Sequence, residues 1–117
     1  LGKKLCETSG LDRAFFCNSG AEANEGAIKL ARRYQSQKGK DEIIYFSQSF
    51  HGRTITTLMA TDKDKYRVGF GPFPPGFIRA EYNNINDMND YYMFQFESTK
   101  DFSFLQRVKF IFVVHAN

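Results

Sequence analysis

The feature that most constrains this chain is a helix with a well-specified start, set between two short apolar runs. The stretch FFCNSGAEAN stops its aromatic pair on Asn18-Ser19-Gly20-Ala21, and a helical pattern begins at once. Ser19 is a good N-cap, and Glu22 stands three residues on, the spacing at which a capping box exchanges hydrogen bonds. Ala23, Ala27, Leu30, Ala31 and Tyr34 recur at helical intervals, which predicts an amphipathic helix over about 20–37. Those residues form the expected covered face, with Glu25, Lys29, Arg32 and Arg33 turned away. Gly39 suits the left-handed closing position, and Lys38 and Lys40 suit the negative end of the helix dipole.

The flanking runs complete a unit. RAFFCN, residues 13–18, reads as a short buried strand. EIIYF, residues 42–46, is continuously apolar rather than alternating, as in a parallel strand covered on both faces. Strand, helix and strand make a crossover, so the fold class is α/β with a mostly parallel sheet and crossover helices. Ahead of it, residues 1–7 read as the end of a helix that Gly10 stops. After it, SQSFHGRTITTLMAT is a turn into a second helix that begins near Gly52 or Arg53. GFGPFPPGF, residues 69–77, is an ordered irregular loop, and IRAEYNNINDMND is a short strand and a polar turn.

Composition excludes several classes. The formal charge of +3 comes from basic residues scattered among acids, which gives no support to nucleic-acid binding. Cys6 and Cys17 lack the spacing of a metal or redox pair, so they read as two buried free thiols in a reducing compartment. No metal site is expected. The apolar run 110–114 is far too short for a membrane span, and the chain reads as soluble and cytoplasmic. The first residues, Leu1-Gly2-Lys3-Lys4, read as a start in mid-protein.

The turn before the helix is a candidate anion site. The first N–H groups of a helix lack internal partners, and after a parallel strand they face the crevice at its carboxyl end. Gly20 and Ala21 are small enough for a phosphate to approach the backbone, and the dipole favours negative charge there. Ser-Gly serves equally well as a plain cap, and the turn alone leaves both readings open. It is neither a Walker A loop nor a dinucleotide fingerprint. The second constellation, FHGRT at residues 50–54, follows the next strand and would face the same crevice. Phe50 suits a flat ring, and Arg53 offers a planar fork for a carboxylate. Phe50 in the core and Arg53 as a solvated charge are the alternatives, and His51 reads as structural.

Taken in order, FFCNSGAEANEGAIKLARRY, SFHGRTITTLMAT and KYRVGFGPFPPGF resemble the class III aminotransferases, enzymes of fold type I that use pyridoxal 5'-phosphate. The resemblance covers about residues 1–89 and is strongest to the branch acting on acetylornithine. It implies that Ser19, Gly20 and Ala21 bind the cofactor phosphate, that Phe50 stacks on the cofactor ring and that Arg53 binds the substrate carboxylate. It also implies an amino-acid substrate, 2-oxoglutarate as amino acceptor, a place in arginine biosynthesis and a homodimer. Succinylornithine, ornithine and 4-aminobutyrate aminotransferases share the turn and are the alternatives within the family. A non-catalytic domain for a phosphorylated ligand is the alternative outside it.

The family also needs a lysine joined to the cofactor and a carboxylate on the ring nitrogen. Neither motif occurs here, and Lys100 and Lys109 lie in a different context, so no catalytic residue is assigned and the chain by itself is expected to be inactive. Residues 1–89 therefore read as a piece of the large, cofactor-binding domain, and 90–117 as a divergent, aromatic-rich tail, with a shifted reading frame, a spliced unrelated end and true divergence as the alternative origins.

Overall fold

The computed structural model describes residues 1–39 and 41–86. Helix α1 spans Gly2–Ser9 and closes on Gly10, whose left-handed backbone lets its N–H reach the Cys6 carbonyl. Helix α2 spans Gly20–Gln35 and tightens into a 3-10 turn, Ser36–Lys38, that ends on left-handed Gly39. The side chains of Lys38 and Lys40 lie outside the described residues. Strand β1, Ile43–Phe46, leads through a long turn to the short helices α3, Ile55–Met59, and α4, Asp64–Arg67. An irregular loop then enters strand β2, Phe77–Ala80, which pairs parallel with β1 from Ile43 opposite Phe77 to Phe46 opposite Ala80. The α/β class and the parallel pairing are as the sequence predicts. The apolar run 110–114 and the rest of the aromatic-rich tail lie outside the described residues.

The crossover forms one step later than expected. Residues 13–18 are not a strand, and Phe15 and Phe16 are 77% and 57% exposed. Their rings instead lie beside helices: an added Cβ at Gly26 would meet the Phe15 ring at 3.4 Å, and one at Gly2 the Phe16 ring at 3.6 Å. No described strand runs alongside to supply ladder hydrogen bonds, so an apolar run alone does not make a strand here. The connection between the paired strands is carried by α3, α4 and the loop.

Helix α2 is turned from its expected orientation. Asn24 is buried and Ala21, Ile28, Arg32 and Gln35 are half-buried, while Leu30 and Tyr34 are 52% and 59% exposed and Ala23 and Ala31 are also exposed. Ala27 alone of the predicted face is half-buried. Hydrogen bonds, not apolar area, select the inward side. The Asn24 amide donates to the His51 carbonyl at 2.7 Å, and Arg32 donates to the carbonyls of Asp41 and Pro75. The Arg32 guanidinium also lies 5.1 Å from the centre of the Phe77 ring, so one side chain ties α2 to the entrances of both strands.

Strand β1 is covered on one face, not two. Tyr45 is buried, whereas Ile44 and Phe46 are 38% and 37% exposed. Alternation in burial thus coexists with a continuously apolar sequence. Behind the buried face sits a small core of Tyr45, Leu58, Ala60 and Ala80 interleaved with buried Asn24, Ser47, Thr57 and Thr61. Cys6 and Cys17 are free thiols as expected, but neither is buried, and Cys17 is exposed. Among the described residues no apolar cover buries the thiols on this side of α1 and of residues 13–18, where Leu5 and Phe16 are themselves open.

Candidate functional site

Two turns meet at the start of α2, and each is built for close approach. Ser19 has extended backbone, and its Oγ accepts the Glu22 N–H at 3.2 Å. The Glu22 carboxylate accepts an N–H at 2.8 Å in return, from Asn18 rather than from the cap residue itself. The box closes one residue further out and braces the turn 18–19. Among the described residues, the N–H groups of Gly20 and Ala21 have no hydrogen-bond partner. A Cβ added at Gly20 would meet nothing within 4 Å, so the turn is open on that side of Gly20.

Ala21 faces the other turn. Gly52 is buried at φ 135°, where a Cβ would fall 2.8 Å from that of Ala21 and 2.6 Å from the Thr57 hydroxyl. Glycine is required there for both its backbone conformation and its lack of a side chain. The FHGRT segment thereby lies directly on the start of α2, as the sequence predicts, with the Asn24 to His51 bond as the link beside it.

Buried threonines hold this second turn. The Thr61 hydroxyl accepts the His51 N–H at 3.0 Å and lies 3.2 Å from the Gly52 carbonyl and 3.0 Å from that of Thr57. Thr57 in turn meets Thr54, whose hydroxyl donates to the Glu25 carboxylate on α2. His51 Nδ1 lies 2.8 Å from the Ala60 carbonyl, an acceptor only, so Nδ1 carries the proton. That makes His51 a structural clip, as expected. Helix α3 begins at Ile55, two to three residues later than the sequence predicts, because residues 52–54 are engaged in these contacts.

Phe50 is 40% exposed and therefore not a core residue. Arg53 is exposed too, but it is not a freely solvated charge: its guanidinium lies 3.7 Å from the centre of the Tyr66 ring and 5.7 Å from that of Phe50. Among the described residues its N–H donors have no hydrogen-bond acceptor. Tyr66 stands on α4, which Arg67 anchors by donating from Nε and Nη2 to the Thr61 carbonyl and from Nη2 to the Tyr45 hydroxyl.

The carboxylate of Asp62 closes the turn after β1. It accepts the Gln48 N–H at 2.7 Å and two donors of Arg79, at 2.8 and 3.3 Å. These hydrogen bonds, that from Arg79 above all, hold the Asp62 carboxyl below the usual carboxylate range against the opposing effect of burial. Gln48 has φ 61°, an uncommon conformation for a side-chain-bearing residue, and the Asp62 bond to its N–H helps to retain it.

Sequence reasoning missed Asn24, Tyr66 and the threonine pair. Asn24 lies three residues beyond Ala21, on the same side of the helix, and that spacing was the available signal. Tyr66 carries no local signal, because its role comes from folding α4 over Arg53. No group of three metal-ligating side chains occurs among the described residues. No described helix is long and apolar enough to cross a membrane.

Known proteins share both sequence and shape with this arrangement. Residues 1–108 match the family described as aminotransferase class-III. The acetylornithine aminotransferase of Methanocaldococcus jannaschii is 60% identical over 93 residues, covering 77% of this chain and 23% of that protein. The acetylornithine aminotransferase of Halalkalibacterium halodurans is 57% identical over 81 residues, covering 69% and 20%. The chain thus spans less than a quarter of the length of these curated relatives. Among solved structures, the ornithine aminotransferase of Toxoplasma gondii superposes with a TM-score of 0.73 at 29% identity, over 78% of this chain and 23% of that one. An aminotransferase of Bacillus anthracis gives 0.62 at 34% identity, over 84% and 22%. A second crystal of the Toxoplasma enzyme holds PLP at its active site with partial occupancy.

Proposed function

The chain belongs to the class-III aminotransferases and has their fold type I architecture, and from that premise we propose that it forms the cofactor-phosphate seat and substrate-carboxylate contact of an aminotransferase acting on acetylornithine. The observation that carries this reading is the abutment of Ala21 on Gly52, which joins the two motifs in a chain 60% identical to an acetylornithine aminotransferase. In the complete protein the reaction is transfer of the terminal amino group of acetylornithine to 2-oxoglutarate, as a cytoplasmic homodimer serving arginine biosynthesis.

The residues suit pyridoxal 5'-phosphate on physical grounds. The two partnerless N–H groups at the head of α2, Gly20 and Ala21, would hold the phosphate, reinforced by the positive end of a helix of 16 residues. The Ser19 hydroxyl lies beside them, fixed by its bond to Glu22. Phe50, partly open beside Arg53, presents a face for the cofactor ring, and Arg53 presents unpartnered donors to a carboxylate. Bound there, the cofactor supplies the electron sink through which an amino group passes between carbon skeletons. The lysine motif that the family's chemistry needs does not occur in these 117 residues, so the chain by itself is expected to bind the cofactor without transaminating.

Substituting Gly20→Asp tests the seat. The added side chain enters open space and leaves the packing intact, but sets a carboxylate against the phosphate. Equilibrium dialysis with pyridoxal phosphate should show affinity falling at least about tenfold, or about 1.4 kcal/mol. Unchanged affinity would remove the phosphate from the head of α2. An enzyme acting on ornithine is the second reading, favoured by the shape of the Toxoplasma structure at a lower identity of 29%.

A further inference from the structure

We propose that Tyr66 is a positioning residue for the carboxylate contact: its ring holds the Arg53 guanidinium by its face and so leaves the N–H edge directed at a substrate carboxylate. The inference rests on the assignment of Arg53 to that carboxylate and adds the group that aims it.

The contrast among the arginines carries the argument. Arg32, Arg67 and Arg79 are each fixed by hydrogen bonds to carbonyls or carboxylates, and their donors are spent on structure. Arg32 and Arg67 also lie over rings, at 5.1 Å from the Phe77 centroid and 5.8 Å from the Tyr45 centroid. Arg53 alone of these four has no hydrogen-bond acceptor among the described residues and is placed by rings only, at 3.7 Å from the Tyr66 centroid and 5.7 Å from the Phe50 centroid. A ring face attracts the flat cation without consuming an N–H. The fork is thereby ordered before a ligand arrives and still has its in-plane donors for a bidentate carboxylate.

The platform under Arg53 is itself fixed. The Tyr66 N–H bonds the Lys63 carbonyl at 2.9 Å. The next residue, Arg67, is pinned twice to the Thr61 carbonyl and lies 3.6 Å from the Asp64 carboxylate. Thr61 also carries the His51 N–H, so the same buried residue supports both Arg53's own turn and the helix that presents Tyr66. The stack uses the ring and not the hydroxyl, which separates a phenylalanine from an aliphatic replacement.

The test is titration of the 117-residue chain with glutarate, a dicarboxylate, followed by NMR on the backbone amide resonances, with the Arg53 side-chain protons reporting the stack where Arg53 is present. In the unsubstituted chain, protons of the Arg53 side chain should be shifted upfield by the ring beneath them, and glutarate should bind. Tyr66→Met keeps an apolar platform without a π face; it should abolish the shift and raise the glutarate dissociation constant about fivefold, whereas Tyr66→Phe should retain the shift and stay within about twofold. Tyr66→Met binding within twofold of the parent, while Arg53→Gln loses binding, would overturn the positioning role and leave Arg53 as the carboxylate contact. Binding undiminished in Arg53→Gln, or absent in the parent, would overturn the assignment of Arg53 and the positioning role with it.

Discussion

The two sides of α2 are made differently. Its inward side, from Ala21 to Arg32, is fastened by few apolar atoms and many directed bonds: Asn24 to His51, Glu25 to Thr54, Arg32 to two carbonyls. Its outward side carries Leu30 and Tyr34, both more than half exposed, and Phe15, Phe16 and Leu5 of α1 are open as well. Directed bonds place groups to within tenths of an ångström, as the approach of Gly52 to Ala21 requires. Apolar burial stabilises without such precision, and among the described residues it is concentrated under β1 and α3. Position is therefore most tightly defined where the proposed ligand contacts are.

The largest effect should come from breaking the fastened side at its tightest point. Gly52→Ala would place a Cβ 2.6 Å from the Thr57 hydroxyl and 2.8 Å from the Ala21 Cβ, at a φ of 135° that L residues rarely adopt. Overpacking and backbone strain together should cost about 2–4 kcal/mol in urea unfolding. A cost below about 1 kcal/mol would mean that the two turns do not meet as closely as described.

A smaller effect, with a pH signature, is expected at Asp62. Its folded-state carboxyl is held below its ordinary value, chiefly by the Arg79 hydrogen bond. The unfolded chain therefore takes up this proton first as pH falls. The contribution is present above the ordinary carboxylate range and is lost as pH drops through the lower folded value. Arg79 is 46% exposed at its side chain, so solvent screening keeps the expected cost of Asp62→Asn at neutral pH to about 1 kcal/mol. The acid limb of the stability curve should flatten in the variant, and an unaltered limb would assign it to other carboxylates.

The smallest effect belongs to the open side. Tyr34→Ser removes a ring that is 59% exposed and should change unfolding free energy by no more than about 0.5 kcal/mol. A loss of 2 kcal/mol or more, of the size expected for truncating a covered aromatic, would show that this face is covered in solution and would erase the contrast between the two sides.

How much of this was legible in the chain can be argued element by element. Helix α2 starts at Gly20 as the capping residues specify, because the Ser19 and Glu22 bonds are made within four residues and need no distant partner. The left-handed ends at Gly10 and Gly39 are legible for the same reason. The strand EIIYF also forms, since its β-branched and aromatic residues favour the extended state and β2 supplies a partner. FFCN has a similar composition and forms no strand, because pairing depends on a neighbour that composition does not reveal.

The site divides along the same line. Residue types alone marked Ser19, Gly20, Ala21, Phe50 and Arg53, and the small residues at 20 and 21 marked room for an anion at the backbone, but not the abutment of Ala21 on Gly52. Only the tertiary structure turned Asn24 rather than Leu30 inward, because an amide within reach of the His51 carbonyl outweighs an apolar pattern that is left more than half exposed at Leu30 and Tyr34. Only the tertiary structure brought Tyr66 under Arg53, 13 residues further along the chain, and so distinguished an aimed guanidinium from a solvated one. Sequence by itself determined what is closed by local hydrogen bonds and backbone conformation. Whatever needs a partner brought from far along the chain, including strand pairing, helix rotation and the platform under the arginine, was decided by the fold.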